Sequence, residues 1–313
     1  MITRADVQAA AIRIAGWVRP TPVAEIELDT FGPAGAVVLK LEFMQHCGSF
    51  KVRGAFNRIL AAAQASELPP AGVIAASGGN AGLAVAYAAK ALKLPVEVYV
   101  PITAPTVKVA NLGKLGATVR QVGLEYAEAY GAAIKRAADT GALFCHAYDQ
   151  SQIAAGQGTL ALELLDQLAG RLDTVVLAVG GGGLMAGTAA ALEGQAKVVA
   201  VEPETIPTLH AALAAGGPVD IEVSGIAADS LGAHRLGNIA YDVAVRTGVS
   251  SVLVTDEAII AARQLLWDQR RVVIEHSAAT ALAALTTGTY RPSPGECLAI
   301  VLCGANTEPS DLA

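Results

Sequence analysis

Aromatic residues make up only 4% of this 313-residue chain, charged residues only 16%, and cysteine occurs four times. The 53% hydrophobic fraction suffices for a substantial core, in one large or two ordinary domains. Cys47, Cys145, Cys297 and Cys303 show neither CxxC nor metal-ligand spacing, which argues against a zinc or disulfide scaffold and suits a reducing compartment. No metal is expected. No apolar run reaches the ~18 residues of a membrane span before Gly, Pro or charge interrupts it. The N-terminal MITRADVQAAAIRIAG carries charges where a signal peptide needs an unbroken apolar stretch. Basic clusters are also missing and the net charge is −6, so neither nucleic acid nor a membrane surface is an expected partner. A cytoplasmic protein is the expectation.

What the chain has in abundance is alanine, valine, leucine and glycine, the composition of parallel strands buried on both faces and covered by helices. Helical spacing runs over residues 3–16, Pro20 and Pro22 then force an extended segment, and VVLKLE at 37–42 reads as a strand. Helix over 51–65, strand 72–76, helix 80–92, strand 96–100, a helix through Leu115, strand 118–122, helix 125–139 and strand 142–146 then alternate. That order predicts βαβ units and a parallel sheet. The pattern restarts after Asp149 with helix 152–168, strand 174–179, helix 184–192 and strand 197–202. A strand over 251–254, a helix to about 268, a helix over 277–286 and a buried strand over 297–303 complete it. There is no internal repeat and no Ser- or Pro-rich linker, and with about ten residues after the last strand no appended regulatory domain is expected.

Three stretches carry chemistry. Gly48-Ser49-Phe50-Lys51-Val52-Arg53-Gly54 sets one lysine between apolar neighbours at the opening of a predicted helix. Desolvation there would favour the neutral, nucleophilic amine, although the same heptapeptide met alone would read as an ordinary solvated lysine. Ala76-Ser77-Gly78-Gly79-Asn80-Ala81-Gly82 lies between a strand and a helix, where free N–H groups and the helix dipole suit a carboxylate; a plain Gly-rich turn is the bland alternative. Gly180-Gly181-Gly182-Gly183 joins a buried strand to a buried helix and is built to wrap a phosphate. It matches neither GxGxxG nor GxxxxGK[ST] in context, so ATP is excluded and a dinucleotide is the weaker option.

A reactive lysine, a carboxylate loop and a phosphate cup are what pyridoxal phosphate needs. The segments KLEFMQHCGSFKVRGAF, ASGGNAG, AVGGGGLMAG and LCGANT, in this order, resemble the serine/threonine dehydratase branch of the fold-type II, tryptophan synthase β-like pyridoxal-phosphate enzymes over nearly the whole chain. The resemblance implies two three-layer αβα domains with mainly parallel sheets. Residues 47–146 would form the small domain, residues 1–46 and 147–313 the large one, and pyridoxal 5'-phosphate would lie in the cleft between them. It makes Lys51 the Schiff-base lysine, puts Phe50 against the cofactor ring and Asn80 on its phenolic oxygen, and gives the phosphate to Gly180, Gly181, Gly182 and Gly183. Cys303 would face the pyridine nitrogen as a weak, neutral partner. Ser77, Gly78, Asn80 and Ala81 would take the substrate carboxylate.

The activity implied is elimination of water and ammonia from L-serine or L-threonine by a homodimer acting on a small-molecule substrate. Another β-hydroxy amino acid and β-replacement of the cysteine synthase kind stay open, as does, from a different class, a non-catalytic nucleotide-binding protein. Three departures from the family pattern stand out: Cys47 where many relatives have threonine, His276 after Glu275 where many have proline, and Thr208 where an acidic residue would complete a cation site begun by Glu202.

Overall fold

Strands covered on both faces need no alternation of polar side chains, and the central strands here show none: every residue of β7 (Thr174–Ala178) and β10 (Cys297–Val301) is buried. The computed structural model describes residues 1–26 and 35–312. Within them, β7 and β10 join β1 (Val23–Ile26), β2 (Ala36–Lys40), β8 (Lys197–Pro203) and β9 (Ser250–Val254) in a six-stranded sheet of order β1-β2-β10-β7-β8-β9. Only the β1–β2 pair is antiparallel. A second, wholly parallel sheet has the order β5-β4-β3-β6, from β3 (Val73–Ala76), β4 (Val96–Val100), β5 (Thr118–Gln121) and β6 (Leu143–Cys145). The chain thus forms two parallel-sheet α/β domains, with the first two strands returning to the sheet of the C-terminal half.

Helices cover both sheets: α1 (Arg4–Ile14), α2 (Lys51–Gln64), α3 (Asn80–Ala91), α4 (Thr106–Lys114), α5 (Tyr126–Thr140), α6 (Ser151–Gln167), α7 (Gly183–Leu192), α8 (Thr208–Ala215), α9 (Ala228–Leu231), α10 (Asn238–Thr247), α11 (Asp256–Arg270) and α12 (His276–Thr286). All ten residues of α7 are buried, so it is a core helix rather than an amphipathic one. It packs on α6 at backbone contact, because a Cβ on Gly158 would enter the main chain of Gly187.

Two expectations need correction. The strand read over 37–42 stops at Lys40, and Glu42–Met44 form a 3-10 turn. The strand read over 297–303 stops at Val301: Leu302 still donates to the Lys40 carbonyl at 3.0 Å, but Cys303 and Gly304 then turn to pair with residues 49–50. Helices α8, α9 and α10 fill the stretch between 203 and 250 that the sequence reading left unassigned.

Helix α2 is anchored between the sheets by buried charge. The Arg53 guanidinium, wholly buried, meets Glu42 at 2.8 Å and Glu163 at 2.6 Å, and Lys40 closes the group on Glu163 at 2.8 Å. Both carboxylates hold Arg53 above its ordinary pKa despite burial. A buried cation so paired resists displacement, since removing any partner strands a charge in low dielectric. The first residue of the helix fixed in this way is Lys51.

Candidate active site

In open parallel sheets the free N–H groups and the loops that can change without disturbing the core lie at the carboxyl ends of the strands. Three such ends meet here: β3 runs into residues 77–79 and α3, β7 into Gly180–Gly183 and α7, and β10 into Cys303 and Gly304. The Phe50 N–H donates to the Cys303 carbonyl at 3.1 Å and Ser49 bridges Gly304, so the segment carrying Lys51 is pinned beside Cys303. Between these segments lies a narrow cleft lined by Phe50, Lys51, Asn80, the four glycines and Cys303. A larger, open depression bounded by Asp173, Lys197 and Glu296 lies at the opposite, amino ends of the strands and gathers no comparable donors.

Lys51 Nζ donates to the Ala147 carbonyl at 2.9 Å and stands 5.1 Å from the centre of the Phe50 ring. It makes no ion pair with a carboxylate among the described residues. Burial lowers its pKa to about 8, against opposing pulls from Cys303 and Glu275. The amine is therefore available as a nucleophile and base near neutral pH. Cys303 is a neutral thiol, pushed up to about 12 by burial and then by the nearby Glu275.

The glycine loop backs directly onto protein. A Cβ on Gly181 would enter the Tyr148 ring, one on Gly180 would come to 3.0 Å from the Leu231 carbonyl, and Gly182 has φ +86. The N–H groups of Gly181 and Gly182 donate to no acceptor among the described residues, and the start of α7 follows at once. Free donors at a helix N-terminus, backed so closely that only glycine fits, suit a phosphate. With a lysine of lowered pKa across the cleft, this donor set fits pyridoxal phosphate.

Asn80 begins α3; its Nδ2 donates to both Glu275 oxygens, at 2.8 and 3.0 Å, and its Oδ1 accepts from Asn306 Nδ2 at 2.5 Å. Ser77 Oγ accepts from Gly79 N at 3.2 Å. Ser77 and Gly78 stand on the loop leading to Asn80 and Ala81 follows it in α3; none of the three is among the residues lining the cleft. Above the loop, Lys108 of α4 pairs with Asp229 of α9 and so ties the two domains together.

Sequence reasoning missed Tyr148, Glu275 and Ser277, all of which line the cleft. Glu275 had a signal, since the residue after it departs from the family pattern; Tyr148 had none beyond its place in a loop after a strand. The other flagged acid, Glu202, is buried as the cap of α8: it accepts from Leu209 N at 2.6 Å, His210 N at 2.9 Å and Thr208 Oγ1 at 3.0 Å. Burial pushes it up to about 7. Cys47 sits in the left-handed region at φ 59, its thiol directed at the Leu83 carbonyl.

No helix among the described residues is long and apolar enough to cross a membrane. The family model described as pyridoxal-phosphate dependent enzyme matches residues 14–304. Phenylserine dehydratase of Ralstonia pickettii is 37% identical over 99% of this chain and 96% of its own. L-threonine ammonia-lyase of Thermotoga maritima is 33% identical over 98% of this chain and 76% of its own. The crystal structure of serine racemase from Dictyostelium discoideum superposes with a TM-score of 0.89 at 31% identity, covering 98% of this chain and 99% of that one. The chain belongs to the fold-type II, tryptophan synthase β-like pyridoxal-phosphate enzymes, in the branch of the serine and threonine dehydratases, and the cofactor of that family is pyridoxal 5'-phosphate.

Proposed function

We propose that this protein eliminates water and ammonia from β-hydroxy-L-amino acids, turning L-serine into pyruvate and L-threonine into 2-oxobutanoate. The observation that carries the reading is the buried Lys51 amine, with its lowered pKa, facing the glycine loop across one cleft. Lys51 would hold the cofactor together with Gly180–Gly183, Asn80, Phe50 and Cys303. Bound there, pyridoxal phosphate supplies the electron sink that makes the substrate's α-proton acidic. Lys51 would take that proton, the loop around Ser77 and Asn80 would orient the carboxylate, and the β-hydroxyl would leave as water with a proton from the phosphate held by Gly180–Gly183. Hydrolysis of the released enamine, through its imine tautomer, then gives the keto acid and ammonia. The neutral Cys303 thiol keeps the sink moderate, which is sufficient when a leaving group departs promptly. Keto-acid release from L-serine and L-threonine by the loaded protein tests the reading, and the absence of product from every β-hydroxy amino acid offered would refute it.

The wall beside Lys51 favours a second substrate. The chain has few aromatic residues, yet next to the carbonyl that holds Lys51 the His146 and Tyr148 rings stand 4.6 Å apart, Tyr130 lies 5.7 Å from His146 and Tyr126 5.9 Å from Tyr130. His146 Nδ1 accepts from the N–H groups of Tyr148 and Asp149, and burial lowers its pKa to about 4, so its ring stays neutral. Of these rings Tyr148 is the one among the residues lining the cleft, and a β-aryl substituent, as in the substrate that the name of the Ralstonia relative specifies, would pack toward it with the other rings behind. L-threo-phenylserine should therefore be turned over with kcat/KM at least equal to that of L-threonine. Tyr126→Ala, at a half-exposed ring, should lower the phenylserine value about 2- to 10-fold and leave threonine unchanged. An equal loss on both substrates would remove the aromatic wall from the argument.

Elimination should also proceed without racemisation. Returning a proton to the face opposite Lys51 needs a second acid, and Gly78, the residue after Ser77, has no side chain to supply one. During turnover of L-serine in deuterated water, D-serine should form about 100-fold more slowly than pyruvate. A Cβ on Gly78 would meet only Val100 at 3.5 Å and Lys108 at 3.9 Å, so Gly78→Ser fits and should raise the D-serine fraction. Comparable D-serine and pyruvate rates in the parent would sink this expectation.

A further inference from the structure

Glu275 is the one carboxylate among the residues lining the cleft, is 4% exposed, and makes no ion pair among the described residues. Its oxygens accept from Asn80 Nδ2 at 2.8 and 3.0 Å, Ser277 Oγ at 2.9 Å and Asn306 N at 2.8 Å. Every partner is a donor, which only the ionised carboxylate can satisfy throughout. Burial raises its pKa above the ordinary carboxylate value, and these hydrogen bonds oppose that rise without cancelling it.

The pattern leaves the Asn80 amide one orientation. Its nitrogen must face the acceptor-only Glu275, and its oxygen must face Asn306 Nδ2, which is itself oriented by donating to the Cys47 carbonyl at 2.7 Å. Ser277, between Glu275 and the Cys303 thiol, connects the same carboxylate to the other side of the cleft. We propose that Glu275 is a positioning residue: it orients the Asn80 amide into the cleft, braces Cys303 through Ser277, and favours positive charge at the Lys51 nitrogen. This rests on reading Lys51 and Asn80 as the groups that hold the cofactor.

The other titratable groups facing this space are Lys51 itself, Cys303 and Asp229 around Glu275, His146 beside Lys51, and Tyr148, a phenol that burial keeps neutral by pushing it up to about 12. His146 is neutral, Cys303 is a thiol, and Asp229 is paired to Lys108, which leaves Glu275 as the unpaired negative charge acting on Lys51.

The test follows the visible absorbance band of the cofactor-loaded protein as a function of pH, alongside the melting temperature. In Glu275→Gln the isosteric amide removes the charge, and the pH midpoint of the band should fall by about one unit or more. Glu275→Asp keeps the charge and should restore most of that shift. Asn306→Ala, at an exposed residue, frees the Asn80 amide without changing charge. It should speed cofactor loss about tenfold with the midpoint unmoved. A Glu275→Gln protein that melts lower with an unmoved midpoint would overturn the proposal, as would unchanged cofactor retention in Asn306→Ala. If Glu275→Gln does not fold, the Asn306 variant decides alone. A parent protein with no visible band would instead refute the cofactor reading, an outcome distinct from all of these.

Discussion

Lys51→Ala should abolish keto-acid release from every β-hydroxy amino acid, by at least about 10⁴-fold, and with it the visible absorbance of the bound cofactor. Two functions are lost together, the covalent hold on the cofactor and the base that takes the α-proton, so no increase in substrate concentration compensates. The fold should survive. Lys51 Nζ makes a single hydrogen bond, to the Ala147 carbonyl, and alanine is the best helix former at the start of α2. That helix is held by Arg53 and its two carboxylates, not by Lys51. The melting temperature of the cofactor-free variant should therefore match that of the cofactor-free parent. In the parent, capture of pyridoxal phosphate should accelerate as pH rises through about 8, because burial sets the amine's pKa there and only the neutral form attacks. A variant retaining near-parental activity would overturn the assignment of the cleft.

The glycine stretches and the lysine segment were legible in the sequence because the roles proposed for them depend on backbone conformation and small side chains, which leave a local signature. Lys51, Asn80, Gly180–Gly183 and Cys303, spread over the chain, do meet in one cleft. What the sequence could not supply was the way the chain leaves β10: a continuous apolar pattern through Cys303 looks like more strand, whereas the main chain turns to pair with Ser49 and Phe50. That turn brings Glu275 in as well, since Glu275 N donates to the Gly304 carbonyl at 3.0 Å. Glu275 and Tyr148 make their contacts with residues distant in sequence; the departure at His276 is the one pointer toward Glu275, and no local pattern marks Tyr148. The stretch between 203 and 250 was unreadable for a different reason. Its helices are short, α9 having four residues, and the alanine-rich α8 has little contrast between its faces.

Gly181→Asp should weaken pyridoxal phosphate binding by at least about 100-fold, and the cause can be divided between shape and charge. The shape term comes from Tyr148, whose ring occupies the space any Cβ on Gly181 would need. That ring cannot simply swing away, because its hydroxyl donates to the Arg235 carbonyl at 3.2 Å and its neighbour His146 is fixed by two main-chain N–H groups. Gly181 in turn holds Gly237 through its carbonyl at 3.1 Å, so displacing the loop disturbs the approach to α10 as well. The charge term comes from placing a carboxylate where free N–H groups await a phosphate; two anions at contact range in a partly buried site repel by roughly 2–4 kcal/mol. Gly181→Ala carries only the first term and should bind the cofactor more weakly than the parent but better than the aspartate variant. Equilibrium titration of the three cofactor-free proteins with pyridoxal phosphate, followed by the appearance of the visible band, measures both steps. If the aspartate variant bound as tightly as the parent, the glycine loop could not be the phosphate site. If alanine and aspartate were equally impaired, the ring of Tyr148 and not the anion-binding character of the loop would be what requires glycine at this position.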